Sequence, residues 1–349
     1  MRPIATSSTR PRSRSEVGVF RTALAPGAAR RLRFGASSCT NAALYPWPTL
    51  ARAAELELDF YLLLGDTTYC DGAVTLDEYR RKWQFTRESA EYRALFASCG
   101  VYATWDDHEV TNDWDPETVD PTQLAVALQA FEEHVPIGLR SPDGSVRIWR
   151  SQRWGDTLEL FVLDCRSERR PSTAHTPAAQ YVSRAQLDWL EQGLAASTAR
   201  WKVIVNSVPI AHMPDYFQQE KDRWDKYEVQ RDELLAFIAD LGPEARVVWV
   251  AGDYHFAALM HIDRPGDPGA PELSRREILT SPAGNAPNAY WPRVLTDDVV
   301  QFEWADGTPN VAVVTLDPDA DEIESSGAPA TAVCSPRAAS RPEIGLTRA

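Results

Sequence analysis

Short apolar runs that stop abruptly at polar residues recur along the chain. Phe60–Leu64 runs into Gly65-Asp66, and Val101–Trp105 into Asp106-Asp107-His108-Glu109. Trp201–Val205 ends at Asn206, and Arg246–Val250 leads to Gly252-Asp253-Tyr254-His255. Runs this short, apolar on successive residues, predict strands buried on both faces, as in α/β proteins. Arg31–Ala36, Glu277–Thr280 and Val311–Thr315 also predict strands, while Val146–Trp149 and Leu158–Leu163 predict two strands around a turn at Trp154–Asp156. Between them, helical spacing predicts Thr49–Leu56, Leu76–Thr86, Ala90–Ala97, Thr122–His134, Ser183–Leu194 and Glu228–Ile238, with Ser183 as an N-cap.

Ligand sites of α/β sheets lie at the carboxyl ends of their strands. Four such ends here carry Asp66, Asp106-Asp107, Asn206 and Asp253, so groups far apart in sequence are expected to converge. Each has a plainer explanation: a strand-end Asp often caps the next helix, a buried Cys is often a small hydrophobe, and Tyr69 alone reads as packing. Their joint occurrence outweighs the separate explanations, because independent caps need not all carry metal donors. His134, His175, His212 and His261 read as ordinary surface or core residues.

The donor types divide. Carboxylates and the Asn206 amide oxygen suit hard ions such as Ca²⁺, Mg²⁺ or Mn²⁺. A thiolate at Cys39, a phenolate at Tyr69 and an imidazole at His255 suit a transition metal such as iron. Asp66 is placed to bridge the two positions.

Composition narrows the classes. The 349 residues are 44% apolar and 25% charged, which excludes a wholly disordered chain. A net charge of -14 without a basic stripe argues against a general nucleic-acid partner. No run of about 18 apolar residues predicts a membrane-spanning helix. Five cysteines cannot all pair internally and read as thiols or ligands. The start, MRPIATSSTRPRSRSE, lacks the apolar run of about 7–15 residues of a secretory signal. It reads as a flexible arm, and the Ala-, Pro- and Ser-rich end as a disordered tail.

The ordered blocks GDTTY, WDDHEVTND, WKVIVNSVP and GDYH resemble the PhoD-like branch of the metallophosphoesterases. Supporting segments are LDCRSERR, QLDWLEQGL, WDKY and EILTSPAG. The similarity spans about residues 18–316. The chain departs from the wider superfamily where Cys39 replaces an Asp-x-His block, Asp106-Asp107-His108 replaces Gly-Asn-His, and Asp253 replaces a histidine. Those departures match the PhoD-like branch.

The resemblance implies a four-layer α/β/β/α sandwich of two mixed sheets and a phosphoric ester hydrolase, mono- or diesterase, acting on a small or polymeric phosphate ester. It implies Fe³⁺ on Cys39, Asp66, Tyr69 and His255, and one or two Ca²⁺ on Asp66, Asp107, Asn206 and Asp253; other divalent metals remain compatible. His108, with Asp107 beside it, matches the group that serves the leaving oxygen. Asn112 and Arg166 are candidates for holding phosphate oxygens, Arg forks being matched to phosphate. Asp106 is either a further ligand or the partner that orients His108. Loops 113–122 and 213–227 are expected to wall the pocket, with Trp114, Tyr216, Trp224 and Tyr227 either stacking on substrate or packing.

Val17–Gly27 is similar to the exit from a small β-domain that precedes the catalytic unit in many relatives. The expected division is therefore an arm and domain remnant over 1–30, a catalytic domain over 31–320 and a tail over 321–349. Two alternatives are a purple-acid-phosphatase-like monoesterase, which WDDHE and GDYH argue against, and a non-catalytic calcium-binding or interaction protein on the same fold, which would have lost donors that are all present. No Gly-x-Ser-x-Gly elbow supports a serine esterase.

Overall fold

Nine residues, Leu32–Thr40, form a central strand whose far end carries Cys39. In the computed structural model, residues 17–135, 147–217, 222–262, 275–296 and 301–329 are described, together with the backbone of the short strands Ile4–Thr6, Thr9–Arg10, Ser13–Arg14 and Ile344–Leu346.

One sheet runs in the order Ile344–Leu346, Glu322–Pro329, Asn310–Asp317, Leu32–Thr40, Phe60–Leu64, Gly100–Thr104. The last three are parallel, and Asn310–Asp317 is antiparallel to Leu32–Thr40. Pro282–Gly284 adds a short parallel pairing beside Ser38 and Thr40. The second sheet runs Phe302–Asp306, Ala257–His261, Arg276–Leu279, Val247–Ala251, Trp201–Val205, Leu158–Val162, Arg150–Trp154. Its middle four strands from Arg276–Leu279 to Leu158–Val162 are parallel, and the flanking ones antiparallel.

Strand alternation assigns the faces. Leu32, Phe34, Ala36, Phe60, Leu62 and Leu64 point inward against Leu158, Leu160, Val162, Trp201, Val203 and Val205, making the seam between the sheets. The intervening Tyr61 and Leu63 face outward, in a core shared with the helices Pro48–Ala54, Leu76–Glu88, Ala90–Ser98 and Pro121–His134. Phe161, Ile204 and Trp249 face the other way, under Arg184–Ala196 and Glu228–Asp240. The result is the expected α/β/β/α stack. Each large apolar side chain so buried contributes about 1.5–3 kcal/mol. Helix starts are locally encoded: Ser183 Oγ accepts from Gln186 N, and Thr75 with Glu78 forms a reciprocal capping box.

Several boundaries differ from expectation. Of the hairpin strand expected at Val146–Trp149, Val146 lies outside the described residues, and the strand is instead Arg150–Trp154. That strand is the sheet's edge, so one polar-rich stretch suffices and no apolar run marks it. Glu322–Pro329, expected in the tail, pairs over its whole length with Asn310–Asp317, because that strand would otherwise leave its backbone groups open. Beyond Pro329, the expected tail apart from the backbone of Ile344–Leu346 lies outside the described residues, as does Cys334. Ala28 and Arg30, expected in the arm, dock on the hairpin turn: Asp156 N donates to Ala28 O at 2.8 Å, and Arg30 N to Thr157 Oγ1 at 3.0 Å. Among the described residues, no helix is long and apolar enough to cross a membrane.

Candidate metal centre

The strands Leu32–Thr40, Phe60–Leu64 and Gly100–Thr104 of one sheet, and Trp201–Val205 and Val247–Ala251 of the other, deliver their carboxyl ends to one edge of the sandwich. Two glycines allow the loops to meet there. A Cβ on Gly65, which has φ +97°, would lie 2.5 Å from Asp106 Cβ, and one on Gly252 would lie 2.6 Å from Ser38 Cβ. Four donor-bearing residues, Cys39, Asp66, Asp253 and His255, have left-handed φ between 53° and 74°. Such backbone costs of order 1–3 kcal/mol per non-glycine residue and persists only where the surroundings enforce it.

Asp66 is the hub. Its carboxylate lies within 4.8 Å of donor atoms in three groups: Cys39 with His255, Asp107 with His108, and Asp106 with Asp253. Tyr69 Oη donates to Asp66 Oδ2 at 3.1 Å and sits 3.4 Å from His255 Nε2. Cys39 Sγ is 3.4 Å from Asp66 Oδ2. The structure thus brings together Cys39, Asp66, Tyr69, Asp107, His108, Asp253 and His255. Asn206 follows Trp201–Val205 and is wholly buried, with its backbone N donating to Val250 O. Asp107, Asp113 and Asp222 form an adjoining acidic group.

Electrostatics fit cation binding. Burial, then the neighbouring charges of Asp107, Asp106, Glu109 and Asp253, holds the Asp66 carboxyl well above the usual range. Burial and the Asp66 charge raise the Cys39 thiol and the Tyr69 phenol in the same way. Burial pushes His255 down to about 4, leaving it as the neutral imidazole that ligates metals. A cation among these groups reverses the repulsion and favours the deprotonated donors. Asn206 supplies an independent sign: its Nδ2 is buried without a partner among the described residues, while Oδ1 meets Cys165 Sγ at 2.7 Å. Turning the amide over lets Nδ2 donate to the sulfur and puts the oxygen, a hard donor, in the orphaned position.

Three supports were not legible in the sequence. Glu109, fully buried, accepts from Thr67 N at 2.6 Å, Asp106 N at 2.9 Å and Asp66 N at 3.0 Å, tying two donor loops to one carboxylate. Asp71 Oδ2 lies 2.6 Å from His108 Nδ1, and the His108 ring stacks on Tyr69. Burial opposes protonation of His108, but the Asp71 hydrogen bond and the Asp107 charge prevail and raise its pKa. Asn285 Nδ2 donates to Tyr69 Oη at 2.7 Å. The signals available were thin: a second Asp in GDTTYCD, and an Asn two residues after Ala283 in SPAGN.

Other expectations are corrected. Asp71, not Asp106, orients His108. Asp106 accepts a two-point hydrogen bond from Arg166 at 2.7 and 2.8 Å and one from Ser207 at 2.8 Å. Arg166 is wholly buried and also pairs with Asp222 at 2.9 Å, so its fork is occupied by carboxylates rather than open to phosphate. Asn112 is exposed, its Nδ2 donating to Asp113. Trp114, Trp224 and Tyr227 are buried and pack, Trp114 against Trp105 and Trp224 against Tyr181. Tyr216 lies under Arg293. Part of the 213–227 loop, residues 218–221, lies outside the described residues.

A family model of PhoD-like phosphatases matches residues 34–299. The chain belongs to this family. It is 28% identical to alkaline phosphatase D of Bacillus subtilis (strain 168) over a match of 298 aligned positions that covers 71% of this chain, and it spans about half the length of that relative. A solved structure of PhoD superposes with a TM-score of 0.80 at 23% identity, covering 90% of this chain and 69% of that one. The purple acid phosphatase PPD1 from yellow lupin (Lupinus luteus) seeds gives 0.65 at 12% identity, covering 91% and 55%. Both share the fold, as the four-layer stack implied.

Proposed function

We propose that the chain hydrolyses phosphate esters at two unlike metal positions that share Asp66. The observation that carries this reading is the membership of the Asp66 carboxylate in three donor groups at once. The family membership and the similarity to a Bacillus alkaline phosphatase support it. Cys39, Asp66, Tyr69 and His255 would hold Fe³⁺, which suits mixed thiolate, phenolate, carboxylate and imidazole donors. Asp66, Asp107, Asn206 and Asp253 would hold Ca²⁺, one or two ions, through hard oxygens. Such ions, when bound, supply positive charge to a phosphate and lower the pKa of water.

The chain's own groups do the rest. His108, oriented by Asp71, donates a proton to the departing ester oxygen. Asp107 accepts from His108 N at 2.9 Å and Asp113 N at 2.7 Å, fixing the turn on which His108 sits. Asn112, exposed beside it with its Nδ2 on Asp113, would have to exchange that bond to donate to a non-bridging oxygen. Arg166 acts through Asp106 and does not touch the phosphate.

Metal analysis of purified protein, with assays on a chromogenic phosphodiester and the matching monoester, tests the reading. Iron, calcium and a visible charge-transfer band that Tyr69→Phe alters are expected, as is loss of activity in His108→Ala. A colourless, iron-free and fully active preparation defeats the iron assignment. Full activity in His108→Ala defeats the proton-donor role.

A further inference from the structure

A cavity of about 430 Å³ lies at the opposite end of the strand that carries Cys39. Its size is within the roughly 300–1,000 Å³ of small-molecule pockets. Arg33 lines it, six residues before Cys39, so the two sites are about 20 Å apart at the ~3.3 Å rise of a strand residue. Arg21, Arg30 and Arg31 also line it, an uncommon gathering in a chain of net charge -14.

Most of the acidic lining is already engaged. Asp59 accepts from Arg21 at 2.9 Å, from Arg30 at 2.7 Å and from Arg33 N at 2.9 Å, so it holds the arginine cluster in place. Glu324 lies 3.5 Å from Arg31, and Glu57 is solvent-exposed. The Arg33 guanidinium, partly buried, makes no hydrogen bond or ion pair with a described residue. Thr315 and Ser326, on the two adjoining strands, add hydroxyl donors to the same wall.

We propose that this cavity is a second anion site, distinct from the metal centre, which binds a phosphate group through Arg33 and its neighbouring arginines. An open guanidinium fork, hydroxyl donors and arginines pre-set by Asp59 match the tetrahedral oxygens of phosphate. The phosphate is either free or carried on a larger molecule, for which the cavity has room.

Calorimetric titration of the metal-replete protein with inorganic phosphate and, separately, with methylenediphosphonate tests this. Two classes of site are expected. One weakens about tenfold or more in Arg33→Ala, in line with loss of a charge-assisted hydrogen bond, with hydrolysis unchanged; the other is lost in Asp66→Asn. Ser326→Glu, an exposed position, places a negative charge on the wall and should abolish the same class should Arg33→Ala fold poorly. Tighter binding of methylenediphosphonate at that class marks a phosphorylated molecule as the ligand, and tighter binding of phosphate marks the free ion. A single class, lost in Asp66→Asn and indifferent to both cavity variants, overturns the proposal.

Discussion

Asp71 Oδ2 lies 2.6 Å from His108 Nδ1, while Asp71 Oδ1 accepts from Asn112 N at 2.7 Å. The carboxylate is thus fixed at both oxygens, and the imidazole Nε2 has no partner among the described residues. Asp71→Asn keeps the shape and removes the charge that favours protonated His108. Steady-state kinetics should show kcat down about 10–100-fold, by analogy with other supporting partners of functional His residues, with KM little changed. An unaltered kcat would contradict the role given to His108.

Glu109 accepts three backbone N–H groups from two donor loops. Glu109→Ala strands those donors in a buried site, and each unsatisfied buried donor costs about 1–3 kcal/mol. Thermal unfolding should therefore reveal a loss on the order of 3 kcal/mol or more, accompanied by reduced metal content per chain. Glu109→Gln, which keeps one acceptor oxygen, should fall between wild type and Glu109→Ala on both measures.

Chelation should destabilise the protein through the same crowd of carboxylates that favours ions. The Asp66 carboxyl is raised by burial and by its acidic neighbours, so at neutral pH its charge opposes folding once metal is withdrawn. Asp66→Asn removes that charge. In chelator its Tm should exceed that of wild type, whereas in added metal the order should reverse. The same order in both buffers would show that cation binding does not relieve the cluster.

At the opposite end, Asp59 gives the reverse pH dependence. Burial raises its pKa, but hydrogen bonds from Arg30, Arg33 N and Arg21 outweigh burial, and the net shift is downward. A folded pKa below the unfolded value near 3.9 means stability present above that pH and lost as pH falls through the folded value. Tm measured between about pH 2 and 6 should thus drop more steeply for wild type than for Asp59→Asn.

Much of the donor set was legible because apolar runs that terminate in Asp or Asn mark strand ends, and strand ends of such sheets share an edge. Phe60–Leu64 and Trp201–Val205 were read to the residue on that basis. Ala257–His261 and Phe302–Asp306 were not legible, because the first is rich in alanine, which favours strands weakly, and the second interrupts its apolar residues with Glu303 and Asp306. Arg166 was misjudged because burial is a tertiary property: nothing in LDCRSERR tells that Asp106 and Asp222 close around its fork. Asp71 and Glu109 lay in plain view among acidic neighbours, but which carboxylate faces a ligand and which faces a backbone amide depends on the turn, and left-handed residues such as Asp66 set those turns.

The donors also come from both halves of the sandwich. Cys39 belongs to a strand of one sheet and Asp66, Tyr69 and Asp107 to that sheet's loops, while Asn206, Asp253 and His255 belong to loops of the other. The polar rim therefore acts as a clasp across the apolar seam. Sliding of the sheets would alter the spacing of these candidate donors, so rigidity of the interior hydrocarbon packing sets how closely that spacing is held.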